Sequence, residues 1–66
     1  MANTTDKVFE YIEWYIKENR VPPSFREIME EVGLASTSAV NYQLQKLEDS
    51  GRIYRHPNIA RGIVIR

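Results

Sequence analysis

The sequence predicts a mainly α-helical domain closed by a small β-hairpin. Three observations predict it. Residues 1–50 hold three runs with apolar residues at helical spacing, each preceded by a hydroxyl or amide side chain suited to an N-cap. A short turn containing Gly33 joins the second run to the third. After Ser50-Gly51 the apolar period changes from helical to alternating, and the residues become β-branched or aromatic.

In the first run, Asn3, Thr4 or Thr5 caps a helix that extends to about Asn19, and Asp6 in its first turn suits the helix dipole. Phe9, Ile12 and Ile16 form the inward stripe, with Val8 and Tyr15 beside it. Tyr11 and Trp14 lie three apart on another face. Two readings fit that pair: the C-terminal strands fold over it, or it is a partner or self-association surface, where Tyr and Trp are enriched. Glu10, Glu13 and Glu18 make this helix a poor candidate for contact with a polyanion. Pro22 and Pro23 end it and form a stiff connector.

Ser24-Phe25-Arg26-Glu27 is a capping box for the second helix. Phe25, Ile28, Met29 and Val32 share one face, and Gly33 suits the left-handed position that stops the helix after about two turns. Ser36 or Thr37 caps the third helix, from about Thr37 to Asp49. Its inward stripe is Val40, Leu44 and Leu47. Arg52–Arg55 and Gly62–Arg66 alternate as strands around a Pro57-Asn58 turn, with Ile53, Ile63 and Ile65 turned toward the helices. An isolated hairpin is marginal in water, so this one must pack on the helices. Three helices followed by a basic hairpin make a three-helix winged helix-turn-helix, a single domain over residues 1–66.

The outward stripe of the third helix carries the functional signal. Ser38, Asn41, Tyr42 and Gln45 line it, and no acid occurs from Gly33 to Leu47. Exposed helix faces usually carry Glu and Lys. Asn and Gln instead match base edges in a major groove, and small residues allow close approach. Formal net charge is zero, but it is unevenly spread. Residues 1–50 hold nine acids against five bases, whereas Arg52, Arg55, Arg61 and Arg66 stand in an acid-free tail. Such asymmetry suits a face that meets phosphate. It also suits a basic hairpin that pairs with acidic helices of its own fold.

On this reading Ser38, Asn41, Tyr42 and Gln45 meet base edges of double-stranded DNA. Ser24, Arg26, Thr37, Lys46, Arg55 and Arg61 meet phosphates, joined by His56 and Asn58 in the hairpin turn. The chain has one histidine, no cysteine and no Gly-rich phosphate loop, so neither an enzyme nor a metal or cofactor site is expected. No apolar run is long enough to span a membrane, which makes a cytoplasmic protein the expectation. The competing reading is a winged-helix module of phage or plasmid type that binds a host protein. Zero net charge and the Tyr11/Trp14 pair are its supports.

The ordered set Pro22–Ile28, Glu31–Leu34, Ser36–Val40, Leu44–Glu48, Gly51–Ile53 and Arg61–Ile63 resembles the N-terminal DNA-binding domain of LexA repressors, and Val8, Phe9 and Ile12 fit that family's first helix. The resemblance spans nearly the whole chain. It implies a bacterial or phage-encoded SOS-type repressor domain that binds a palindromic operator as a dimer, and that is weak or monomeric alone. It also implies base reading from the start of the third helix, here Ser36, Ser38, Ala39, Asn41 and Tyr42. A wing from Arg55 to Arg61 would lie along the backbone or minor groove. Met29 departs from the small residue usual at its position, which implies altered packing between the helices. Asn41 and Tyr42 depart from the acidic pair of some members, so the operator sequence does not transfer. The family's second domain, which dimerises the repressor and cleaves it with a Ser-Lys pair, lies beyond a chain ending at Arg66. An excised domain or a small stand-alone regulator is expected.

Overall fold

A computed structural model describes residues 3–57, 59 and 61–66. Three helices, α1 (Thr4–Asn19), α2 (Phe25–Val32) and α3 (Thr37–Asp49), precede two strands, β1 (Ile53–Arg55) and β2 (Ile63–Ile65). The caps are those expected from local chemistry. Asn3 accepts from the Asp6 N–H and starts α1. Ser24 and Glu27 exchange both bonds of the capping box, and Ser36 accepts from the Ala39 N–H. Gly33 stops α2 at φ +85°, a conformation that costs a residue with a Cβ about 1–2 kcal/mol. Arg20 ends α1 in the same left-handed region without being glycine.

The strands pair antiparallel in the register Ile53↔Ile65, Tyr54↔Val64 and Arg55↔Ile63. They are shorter than the alternation suggests, although Arg66 N–H still donates to Arg52 C=O at 2.9 Å. At the other end His56 N–H donates to Gly62 C=O at 2.8 Å. Gly62 sits so close to this turn that an added Cβ would lie 2.9 Å from the Ile59 carbonyl and 3.0 Å from that of His56. The sequence pattern alone did not single out this close approach. Asn58 lies outside the described residues.

The core is formed by Val8, Ile12, Ile28, Val40, Leu44, Leu47, Ile53 and Ile63. Its α1 contribution is rotated from the expected stripe. Val8 and Ile12 are fully buried, whereas Phe9 and Ile16 pack at the margin. The reason is that α1 packs against both α2 and α3, which moves its buried line toward Val8. Ile53 and Ile63 face the helices as expected, with Ile65 half-buried. Met29 also packs half-buried against the core. Two further ties hold the hairpin and α3 to α1: Arg52 pairs with Asp6 at 3.0 Å, and Thr5 Oγ1 donates to Gln43 Oε1 at 2.6 Å. Among the described residues, no helix is long and apolar enough to cross a membrane.

Candidate nucleic-acid interface

The outward face of α3 is open. Ser36, Thr37, Ser38, Asn41, Tyr42 and Gln45 are exposed, Tyr42 by 62%, and Ala39 is half-buried at the foot of the stripe. The Ser36 cap orients this start of α3. Within the helix, Lys46 Nζ stands 5.5 Å from the Tyr42 ring centroid, so a cation lies one turn from an exposed aromatic. Arg26 and Lys46 are exposed and form no ion pair among the described residues.

The hairpin lies against this face through Arg55. Its Nη1 donates to Asn41 Oδ1 at 2.7 Å, its Nη2 to Gln45 Oε1 at 2.9 Å, and its Nε to Glu48 Oε1 at 3.2 Å. Gln45 Nε2 in turn donates to Asp49 Oδ1 at 3.0 Å. Sequence reasoning missed Glu48 and Asp49 here. Their spacing from Asn41 and Gln45 was legible, but the arrival of Arg55 from across the turn was not.

Arg61 sits on the opposite flank of the hairpin. It pairs with Glu27 Oε1 at 2.8 Å and donates to the Pro22 carbonyl at 3.0 Å and to the Tyr15 hydroxyl at 3.3 Å. Tyr15 donates to Glu27 Oε2 at 2.8 Å. Glu27 thus joins α1, α2 and the hairpin. The Ser24 backbone N–H, then the Tyr15 hydroxyl and the Arg61 guanidinium, hold its carboxyl down at about 2. The basic hairpin therefore pairs with acidic helices of its own fold through Arg52, Arg55 and Arg61 alike. Each pairs with a helix carboxylate because Asp6, Glu48 and Glu27 face the hairpin. Ser24, Arg55, His56 and Arg61, four of the expected backbone contacts, nevertheless line one open groove of about 830 Å³, with Phe25 and Tyr54.

The low carboxyl of Glu27 has a stability consequence. An unfolded chain takes up this proton near 4.5 and the folded one only near 2, so the contribution is complete above 4.5 and lost as pH falls toward 2. Glu27→Gln should therefore lower the thermal midpoint at neutral pH, and the gap from the parent should shrink steadily on acidification to about 2. A gap that stays constant with pH would show that this carboxylate does not stabilise the fold.

Tyr11 and Trp14 stack with ring centroids 6.0 Å apart. Tyr11 packs against the core beside α2, where burial, followed by the charges of Glu27 and Glu31, raises its hydroxyl above the usual range. Trp14 remains 54% exposed. The expectation that the strands cover this pair fails for Trp14, because Arg61 carries the hairpin's contact to Tyr15 instead.

Comparison with known proteins places the sequence in a family. The LexA DNA-binding domain family model matches residues 1–62. The chain is 47% identical over 60 residues to LexA repressor 2 of Nocardia farcinica, which covers 91% of this chain and 25% of that protein. It is 45% identical over 60 residues to the LexA repressor of Clostridium botulinum, covering 91% and 30%. It is 36% identical over 63 residues to that of Herpetosiphon aurantiacus, covering 96% and 29%. The chain thus spans between 25% and 30% of the length of these relatives. With three capped helices, a paired wing and a family match across nearly its whole length, this chain belongs to the LexA DNA-binding domain family.

Proposed function

We propose that this LexA-type DNA-binding domain recognises a palindromic operator in double-stranded DNA, as a repressor does, with the start of α3 in the major groove. The observation that carries the proposal is the exposed, acid-free polar stripe of Ser38, Asn41 and Tyr42, flanked by Ser36 and Ala39, on a helix whose other face is fully anchored. These residues supply hydroxyl, amide, phenol and methyl groups, the chemistry that meets base edges. Gln45 extends the stripe, at a point where its amide is engaged by Arg55 and Asp49.

Phosphate contacts complete the interface. Arg26 and Lys46 bring cations without an ion pair among the described residues, Ser24 and Thr37 bring hydroxyls, and the first N–H groups of α3 attract an anion. His56 and the remaining donors of Arg55 and Arg61 lie in or beside the wing, which follows the backbone or the minor groove, and Asn58 is a further proposed phosphate contact. A single small domain makes a small interface, so two copies on the two half-sites raise occupancy through effective concentration. We infer a domain that is weak or monomeric alone and dimeric on the operator.

The test is the salt dependence of binding. Lys46→Ala should weaken binding to all duplexes by a similar factor and reduce the slope of log K against log salt by about one. A parent slope near zero would remove phosphate contact, and with it the DNA reading, from this face.

A further inference from the structure

Asn41, Gln45 and Glu48 form one ridge of α3, and the Arg55 guanidinium lies along it, donating to an oxygen of each. We propose that Arg55 is a positioning residue for base selection: it holds Asn41 with its amide nitrogen outward and withdraws Gln45 from the bases. This rests on the reading of α3 as the base-reading helix.

Hydrogen-bond chemistry dictates the amide orientations. Guanidinium only donates, so the atom that Asn41 turns toward Arg55 must be its carbonyl oxygen. The 2.7 Å contact is a short, charge-assisted bond. For Gln45 both ends are determined, because Arg55 requires the oxygen and the Asp49 carboxylate, which only accepts, requires the NH₂. Releasing Gln45 toward a base would break two such bonds. Arg55 is itself held in place. Its side chain is 20% exposed, its Nε is bonded to Glu48, and its own backbone N–H donates to the second Glu48 oxygen at 3.4 Å. It cannot swing to a phosphate without leaving that carboxylate.

Asn41 therefore offers donors. An outward NH₂ suits acceptor edges in the major groove: guanine offers two, O6 and N7, whereas thymine O4 and adenine N7 offer one each. The bidentate adenine pair also needs the amide oxygen directed at the adenine amino group, and here that oxygen is turned toward Arg55. The wing thus shapes specificity without touching a base. Removing the guanidinium frees the amide to rotate, and adenine then becomes an equal partner.

Four duplexes differing only at the base pair that meets Asn41 distinguish the roles, with that pair located as the position where Asn41→Ala erases preference. The parent should favour guanine over adenine by about tenfold there. Arg55→Ala should narrow this to about twofold, chiefly by a gain on adenine. Arg55→Lys keeps the charge and the aliphatic stem but cannot bridge both amides, so its preference should follow that of the Ala variant. In the Asn41→Ala background, Arg55→Ala should alter overall affinity but no preference, the signature of action through Asn41. In the free protein the Asn41 side-chain NH₂ signals should move on Arg55 substitution. If both Arg55 variants lower affinity by one factor on all four duplexes while Asn41→Ala still erases preference, Arg55 is an ordinary anchor and the inference is overturned alone. If Asn41→Ala changes no preference anywhere, the base-reading role of α3 is overturned as well.

Discussion

Leu44→Ala is expected to cost about 2–5 kcal/mol of folding stability, the range for truncating a fully buried leucine. Leu44 is completely inaccessible and lies in the middle of α3, among Val40, Leu47, Ile28 and Ile53. A chain of 66 residues has a total stability of roughly 3–10 kcal/mol at typical values per residue. The substitution therefore removes a large part of what holds α3 to the rest of the fold. Thermal and urea unfolding followed by helical circular dichroism measure the loss directly. Ile53→Val is the graded control, expected to cost about 0.5–1.5 kcal/mol, since it deletes one methylene from the contact between hairpin and α3. A Leu44→Ala loss under about 1 kcal/mol would mean that α3 is not seated as described.

Asn41→Ala is expected to act on recognition rather than on folding. The residue is exposed, so its truncation leaves no cavity. It should cost about 1–3 kcal/mol on the preferred duplex, a loss of about fivefold to 150-fold, with little change on random duplexes. Competition binding against a randomised pool gives both numbers. Equal weakening on specific and random DNA would exclude Asn41 from base reading.

Local features of this fold are legible in the sequence because their chemistry is local. The Ser24/Glu27 capping box, the Gly33 stop and the Ser36 cap each join residues within a few positions, and all three stand where their residue types indicate. The polar stripe on α3 follows from helical period alone, as does the seating of Val40, Leu44 and Leu47 beneath it. Long-range polar pairing is another matter. Arg55 and Asn41 are 14 residues apart, and Arg61 reaches Tyr15 over a separation of 46. A basic hairpin and acidic helices admit both a free, phosphate-facing wing and an internally paired one. The choice depends on the hairpin's docking angle, which no pattern of period two specifies. The same limit explains Trp14, whose exposure depends on where the hairpin lies, and the rotated core line of α1, which depends on two helix neighbours at once.

On the proposed function, α3 and the wing form one DNA-reading face. The most direct measurement is an amide chemical-shift map of isotope-labelled protein titrated with a palindromic duplex selected from a randomised pool, at low and moderate salt. Shifts concentrated from Ser36 to Gln45 and at Arg55, His56 and Arg61, weakening as salt rises, are the predicted result. Shifts gathered at Tyr11 and Trp14, or none at low salt, would contradict it and turn attention to a protein partner on the aromatic face of α1.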